Sequence, residues 1–238
     1  MAAAALRVTQ ARRTRGALMD ASFWHQRWEQ GRIGFHRDRV MPLLEQHWPS
    51  LALDEGSRVF VPLCGKTLDM AWLAARGHRV LGVELSRIAV EQFMAENGLV
   101  PAIHESPLGT HFVAGAIEII CGDAFALDAE TLSGCSAVYD RAALIALPRP
   151  MRDAYVGQLH ARLPAGCREL LITLDYPLHE KAGPPFPVDA DEVHRLYDRD
   201  WQVACIERRD ILDAEPSFAA EGVTALHTAV WRLEKQLS

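Results

Sequence analysis

The chain has 238 residues, of which 25 are Lys or Arg and 31 are Asp or Glu, giving a formal net charge of −6 at pH 7. Neither sign of charge forms a long run, which excludes the basic footprint of a nucleic-acid-binding protein and favours a small-molecule partner. No apolar segment approaches the roughly 20 residues needed to span a bilayer, so we expect a soluble protein with no membrane partner.

The number and spacing of the cysteines bear on the cellular compartment and on whether the chain holds a structural metal. The chain has five cysteines, an odd number, and none of them forms a CxxC pair. This pattern argues against a disulfide framework and against a zinc site. We therefore expect reduced thiols, no structural metal and a cytoplasmic location.

The N-terminal segment differs in composition from the rest of the chain. Its first 18 residues contain four arginines, no acidic residue and many alanines, but no continuous apolar segment typical of a signal peptide. Met19 would also make a sensible start. The prediction is a disordered or non-native extension over residues 1–19 and a single domain over residues 20–238.

Two helical segments open the domain. Phe23, Trp24 and Trp28 recur at helical spacing after Asp20, and glycines follow at 31 and 34. A second short helix is predicted in "VMPLLEQHW". The apolar, β-branched segment "RVFVPL" then predicts a strand, and "KTLDMAWLAARG" predicts an amphipathic helix.

Strands and helices continue to alternate. "RVLGVEL" predicts a strand, and "SRIAVEQFMAENG" a helix capped by Ser86 and ended by Gly98. After an irregular stretch, further strands are predicted in "AIEIICGD", "SAVYDR" and "CRELLITLDY", with the helix "RPMRDAYVGQLHARL" between the last two. "WQVACIERRD" and "HTAVWRLEK" predict an antiparallel edge pair. The alternation indicates an α/β fold, a parallel sheet with helices on both faces.

The loop after the first strand is the candidate ligand site. "RVFVPLCGKTLD" ends in the Gly-Lys-Thr of a phosphate loop, but Phe60 stands where that loop needs its first glycine. Gly65 lets the backbone approach a ligand closely. Glu84 follows 84 − 65 = 19 residues later at the end of the second strand, the spacing of an acid that accepts hydrogen bonds from a ribose diol. The pattern predicts an adenosyl ligand.

The rest of the loop narrows the choice of ligand. Lys66, Thr67 and Leu68 follow Gly65, where a dinucleotide-binding loop has further glycines. S-adenosylmethionine, which has a ribose and an adenine but no phosphate, suits this loop better. In "CGDAF", Asp123 is placed to accept from the adenine amino group while Ala124 packs on the ring.

Four segments resemble one known family in order and spacing. They read "FWHQRWEQGRIGFH", "VFVPLCGKTLDMAWLAARGHRVLGVELS", "YDRAALIALP" and "AGPPFPV". The chain resembles the thiopurine S-methyltransferase family, in its bacterial branch, from about Asp20 to the C-terminus. The resemblance implies a Rossmann-like class I methyltransferase with a seven-stranded, mostly parallel sheet, an antiparallel C-terminal strand and helices on both faces.

The resemblance also implies roles for individual residues. The implied cofactor contacts are Trp28, Leu63, Gly65, Glu84, Asp123, Ala124 and Arg141. The implied acceptor-binding residues are Phe35, His36, Pro184 and Pro185. We expect Arg141 to stabilise negative charge on the acceptor, with Asp140 or His36 as a proton relay. Simpler readings are that Arg141 only pairs with Asp140, Glu84 caps a helix, Asp123 makes an Asx turn and Lys66 balances a surface carboxylate.

The implied activity is S-adenosylmethionine-dependent methylation of small aromatic or heterocyclic thiols such as thiopurines, and of selenium or tellurium species, by a monomer. One departure bears on the acceptor. Family members carry basic residues in a segment such as "KFRERG", whereas this chain reads "SFAAEG" at 217–222. The alternatives are a catalytically weakened cofactor-binding module and, on a similar sheet, a nicotinamide-dependent oxidoreductase.

Overall fold

The centre of the fold is a set of five parallel strands. The computed structural model describes residues 21–236, so the extension predicted at 1–19 lies outside the described residues. The parallel strands are β1 (Arg58–Val61), β2 (Arg79–Glu84), β5 (Ile117–Cys121), β6 (Cys135–Asp140) and β7 (Arg168–Asp175). These are the five strands that the apolar segments predicted.

Antiparallel strands extend the sheet at both edges. On one side a hairpin of β3 (Ala102–Ser106) and β4 (Gly109–Ala114) pairs with β5. On the other side β9 (His227–Lys235) pairs with β7 and with β8 (Trp201–Asp210), as predicted. The order is β3-β4-β5-β2-β1-β6-β7-β9-β8, a nine-stranded sheet. It contains the seven expected strands, and the hairpin adds two that were predicted as irregular structure.

The helices connect the strands and cover both faces of the sheet. They are α1 (Ala21–Glu29), α2 (Pro42–His47), α3 (Asp69–Ala75), α4 (Arg87–Glu96), α5 (Ala129–Leu132), α6 (Ala143–Ala146), α7 (Arg149–Ala154), α8 (Ala190–Tyr197) and α9 (Pro216–Ala220). The segment predicted as one helix beyond Arg149 is α7 followed by a π-helical turn, Tyr155–Leu159, and a 3-10 turn, His160–Arg162. α8 was not predicted. No helix in residues 21–236 is long and apolar enough to cross a membrane.

Two hydrophobic clusters hold these layers together. Successive residues of β1 alternate between them: Phe60 packs with the cluster on one face, whereas Val59 and Val61 pack with the cluster on the other. This is the period of two expected for a strand that is buried on both faces. A parallel sheet covered on both sides follows from that alternation.

The strand order fixes where a ligand can bind. β1 lies between β2 and β6. The strands that directly follow β1 in the chain are added on its β2 side, and β6 and β7 are added on its other side. At such a switch point the loops after neighbouring strands diverge and leave a crevice at the carboxyl ends of the strands. The loops after β1, β2, β5 and β6 therefore meet at one place.

Candidate active site

A single cavity of about 1170 Å³ opens at this switch point. Pockets for one small molecule occupy roughly 300–1,000 Å³, so this one has room for two ligands side by side. Eleven of the twelve predicted site residues line it: Trp28, Phe35, His36, Leu63, Gly65, Glu84, Asp123, Ala124, Arg141, Pro184 and Pro185. Asp140 is the exception.

The loop after β1 presents its backbone to the cavity. Leu63 and Gly65 both have positive φ, +47° and +53°. A β-carbon at position 65 would stand 3.3 Å from Cζ2 of Trp28, so the indole packs directly on the loop. The loop and α1 thus form one narrow shelf, where the positive φ and the tight contact with Trp28 both favour glycine at position 65.

Glu84 lies at the end of β2 beside this shelf. Its Oε2 accepts from the Gly65 N–H at 2.9 Å and its Oε1 accepts from the Ser86 N–H at 2.8 Å. Burial raises the pKa of Glu84 above its ordinary value, and the backbone donors oppose that shift. Ser86, not Glu84, caps α4, since its hydroxyl accepts from the Ala89 N–H. Glu84 instead holds the loop in place and faces the cavity.

Asp123 follows β5 at the cavity wall. Its Oδ1 accepts from the Phe125 N–H at 2.9 Å, an Asx-type turn that opens a 3-10 turn at Ala124–Ala126. The side chain is exposed, whereas Ala124 beside it is buried. The structure therefore contains the predicted turn contact and also places Asp123 against the cavity.

Arg141 enters the cavity from the end of β6. Its Nε lies 3.6 Å from Oδ2 of Asp69, so its partner is Asp69 and not Asp140. The Asp69 carboxylate is fixed from two sides, since Oδ1 accepts from the Met41 N–H at 2.8 Å and Oδ2 accepts from the Tyr139 hydroxyl at 2.9 Å. Sequence reasoning missed Asp69, which stands at the first turn of the helix after the glycine loop.

Asp140 is turned away from the cavity, contrary to the proton-relay prediction. Its carboxylate accepts from the N–H groups of Ala143 and Leu144 and from the Tyr155 hydroxyl at 2.7 Å. Burial raises the pKa of Asp140 to about 6. Asp140 does not line the cavity, and its oxygens accept from groups in and after the turn that follows β6, so we interpret it as a residue that shapes the turn from which Arg141 projects.

Asp140 also belongs to a buried polar cluster. One ligand-type atom from each of Asp140, His160 and Glu169 lies within 4.8 Å of the others, and all three side chains are buried. His160 Nδ1 is 3.3 Å from Glu169 Oε2, yet neither ring nitrogen of His160 makes a hydrogen bond. None of these three residues lines the cavity.

Aromatic rings form the wall contributed by α1 and the loop after it. Phe35 packs edge-on against Trp24 at 5.6 Å and against Trp28 at 5.7 Å between ring centroids. Trp24 also lines the cavity. A flat ligand ring fits such a wall, because aromatic pairs favour edge-on and offset contacts.

His36 and Lys66 occupy the same side of the cavity. Burial lowers the pKa of His36 below its ordinary value, and the positive charges of Lys66 and Arg141 lower it further. The Lys66 ammonium is 2.5 Å from Glu96 Oε1, the carboxylate pairing that its position suggested. His36 is therefore biased toward the neutral imidazole, the form that can accept a proton.

The segment around α9 forms a further part of the cavity wall. Ser217, Phe218 and Glu221, from the "SFAAEG" stretch, line the cavity. Ion pairs tie both ends of the segment to other cavity loops: Arg37 with Glu215 and Lys181 with Glu221. The departure from "KFRERG" had drawn attention to the stretch 217–222, but these two ion pairs were not predicted.

Comparison with known proteins assigns the chain to a family. The family model described as "Thiopurine S-methyltransferase (TPMT)" matches residues 19–236. The chain belongs to the thiopurine S-methyltransferase family. Relatives named thiopurine S-methyltransferase include one from Xanthomonas campestris pv. campestris (strain 8004), 63% identical over 217 residues that cover 91% of this chain and 100% of the relative. Another, from Nitrosomonas eutropha, is 58% identical and covers 91% and 99%.

Solved structures agree on the fold of this thiopurine S-methyltransferase family member. One is a Burkholderia thailandensis 1,6-didemethyltoxoflavin-N1-methyltransferase with bound S-adenosylhomocysteine, at TM-score 0.61 and 14% identity, covering 91% of this chain and 87% of that one. Another is an S-adenosylmethionine-dependent methyltransferase from Anabaena variabilis, at TM-score 0.62 and 14% identity, covering 91% and 95%. The sheet is thus that of a class I methyltransferase.

The methyl donor of this family is S-adenosylmethionine, and the cavity fits it. At the shelf a β-carbon on Gly65 would crowd Trp28, and Leu63, Cys64 and Gly65 line the cavity. Beside it Glu84 offers a carboxylate for a diol, and Asp123 lies one strand further on. Trp28 lines the cavity, and an indole suits a sulfonium because cations are attracted to its electron-rich face. The chemistry of Glu84, Asp123 and Trp28 therefore matches a ribose, an adenine and a positively charged sulfur.

Proposed function

We propose that this protein transfers the methyl group of S-adenosylmethionine to the sulfur of a small aromatic or heterocyclic thiol, such as a thiopurine. The observation that carries the proposal is the shared cavity. The loop at Gly65 with Glu84 and the aromatic wall around Phe35 line one continuous space, and Arg141 reaches into it. This shared space supports adjoining cofactor and acceptor sites, which direct transfer between two molecules requires.

When bound, S-adenosylmethionine supplies an electrophilic methyl group on a positively charged sulfur. The protein's own residues then bind and orient the cofactor and the acceptor. Phe35, Pro184 and Pro185 hold a flat acceptor ring, and the shelf at Gly65 with Trp28 fixes the other partner. Holding both in line supplies much of the rate, since correct positioning is worth up to ~7–11 kcal/mol of a bimolecular barrier.

Arg141 stabilises the negative charge on the acceptor sulfur. Because Asp69 anchors its guanidinium at the Nε side, the remaining N–H groups are available to the cavity. A hydrogen bond to a charged group contributes ~1.5–3 kcal/mol, which favours the thiolate over the thiol. Aromatic thiols and thiones ionise near neutral pH, so the chemistry needs little help from a base, and neutral His36 is placed to take a proton where one remains.

A panel of acceptors tests the proposal. Purified protein is incubated with S-adenosylmethionine and 6-mercaptopurine, thiophenol, phenol, selenite or tellurite, and methylated products are identified by mass spectrometry. We expect S-methylation of both thiols and none of phenol, the oxygen isostere. Methylation of phenol but of no thiol would overturn the proposed acceptor class, while selenium or tellurium products would extend it.

Two further outcomes separate the remaining alternatives. Calorimetric binding of NADPH but not S-adenosylhomocysteine would favour an oxidoreductase, and tight S-adenosylhomocysteine binding with no turnover would favour a cofactor-binding module. We further propose that the enzyme acts as a cytoplasmic monomer. A single species at the mass of one chain, 26.5 kDa, in light scattering is the expected result.

A further inference from the structure

Four of the cations that line the cavity have an acidic partner. The pairs are Arg37 with Glu215, Lys66 with Glu96, Arg141 with Asp69 and Lys181 with Glu221. The four pairs differ in how exposed the acidic side chain is and in how many other hydrogen bonds it accepts. The Asp69 side chain is only 2% exposed and has two hydrogen-bond donors of its own, whereas the Glu221 side chain is 54% exposed. The partner of Lys181 is the most exposed of the four acids.

Lys181 itself is well shielded. Its side chain is 13% exposed, and its ammonium lies 5.3 Å from the centroid of the Phe218 ring. Phe218 packs edge-on against Tyr176 at 5.8 Å, and the Tyr176 hydroxyl donates to the Pro185 carbonyl at 2.6 Å. The ammonium therefore stands on an aromatic wall that is continuous with the prolines expected to hold the acceptor ring.

A cation that is buried beside an aromatic wall is stabilised by a nearby anion. A shielded ammonium pays a desolvation cost that a paired anion offsets. An ion pair with an exposed carboxylate such as Glu221 contributes only ~0–1 kcal/mol, because water and salt screen it. A ligand carboxylate that enters the cavity and excludes water there interacts more strongly with Lys181 than Glu221 does.

We infer that Lys181 is a specificity-determining residue that binds an anionic substituent, a carboxylate, on the aromatic ring of the acceptor, displacing Glu221. The inference rests on the proposed function for the identity of the acceptor class. Arg141 stabilises the charge on the acceptor sulfur, whereas Lys181, beside Phe218, binds the carboxylate substituent of the ring. Ring-carboxylated aromatic thiols are thus bound in preference to unsubstituted ones.

Binding measurements test this inference independently of turnover. 4-Mercaptobenzoate and thiophenol are titrated by calorimetry into protein saturated with S-adenosylhomocysteine, for the wild type, Lys181→Met and Glu221→Gln. We expect Lys181→Met to weaken 4-mercaptobenzoate more than tenfold and thiophenol less than threefold. Glu221→Gln should tighten 4-mercaptobenzoate severalfold, because it removes the competing carboxylate. Glu91→Gln, an exposed acid on α4, is the matched control and should change neither.

Three results would overturn the inference: equal weakening of both thiols in Lys181→Met, no weakening of either, or no binding of 4-mercaptobenzoate to the wild type. Glu221→Gln provides a second variant at an exposed position if Lys181→Met unfolds. Thiophenol methylation by the wild type, followed separately, reports on the proposed function. If thiophenol is methylated while Lys181→Met leaves 4-mercaptobenzoate binding unchanged, the Lys181 inference alone fails.

Discussion

The indole of Trp28 packs on the backbone of Gly65 so closely that a β-carbon there would stand 3.3 Å from its Cζ2. This contact joins the first helix to the loop after the central strand. It links two segments that carry the family resemblance, and it forms one edge of the cavity.

Substitution of Gly65 by alanine should weaken cofactor binding. Gly65 has φ +53°, where a residue with a β-carbon costs ~1 kcal/mol, and the added carbon also displaces Trp28. We expect Gly65→Ala to raise the Kd for S-adenosylhomocysteine at least tenfold in calorimetry. Gly98→Ala is the matched control, since Gly98 has φ +64° but open space around it. If both variants bind equally well, the shelf does not contact the cofactor.

Glu84 should control cofactor affinity and its pH dependence. Glu84→Gln replaces an acceptor oxygen by a donor opposite the N–H of Gly65 or Ser86, and we expect the Kd for S-adenosylhomocysteine to rise more than tenfold. Burial raises the pKa of Glu84, so affinity should be full at neutral pH and should fall, as the pH drops, at a higher pH than for an ordinary glutamate. Titration at a series of pH values should show this fall in the wild type and not in Glu84→Gln. An unchanged Kd in the variant would remove Glu84 from the site.

Arg141 should act on transfer more than on cofactor binding. Arg141→Met removes the charge that we propose faces the acceptor sulfur, and we expect kcat/KM for thiophenol to fall at least tenfold, in line with ~1.5–3 kcal/mol for a charged hydrogen bond. Arg199→Met, an arginine whose side chain is 91% exposed, is the control. Steady-state kinetics with excess cofactor measure both. Full kcat/KM in Arg141→Met would refute the charge-stabilising role.

Asp140 should affect stability with a recognisable pH dependence. Its pKa is about 6 in the folded protein, where burial disfavours the charge and Glu169, Tyr155 and His160 are its polar neighbours, against ~3.9 when unfolded. Because the pKa is raised in the folded protein, the contribution of Asp140 to the free energy of unfolding is fully present below pH ~4. It is lost as the pH rises through about 6. Relative to Asp140→Asn, the wild-type free energy of unfolding should fall by roughly 3 kcal/mol over this interval. Chemical denaturation at several pH values tests this, with exposed Asp54→Asn as control; a difference that does not vary with pH would contradict it.

The sequence predicted what depends on local pattern. The β1 strand followed from its apolar, β-branched residues, the cap at Ser86 from its place before a helical pattern, and the proximity of Glu84 to Gly65 from their spacing. α8 had a detectable signal that was not used: Asp189 caps it, and Val193 and Tyr197 are buried one turn apart.

Other features depend on long-range contacts that no local pattern shows. The β3–β4 hairpin was missed because its outer strand bears His104 and Glu105 and is stabilised by pairing at the edge of the sheet. Asp69 and Lys181 meet their partners only after the sheet brings distant loops together. The orientation of Asp140 is set by hydrogen bonds to the turn that follows it, so its position next to Arg141 in sequence did not show that its side chain lies outside the cavity lining.

The most direct test of the account follows the methyl group itself. In a single turnover, methyl-deuterated S-adenosylmethionine and thiophenol are mixed with the wild type, Glu84→Gln or the exposed control Glu91→Gln. Direct methyl transfer at this site predicts deuteromethyl phenyl sulfide and S-adenosylhomocysteine in equal amounts from the wild type and the control, and a much slower reaction from Glu84→Gln. Cofactor binding without any sulfide product, or equal rates from all three proteins, would contradict it.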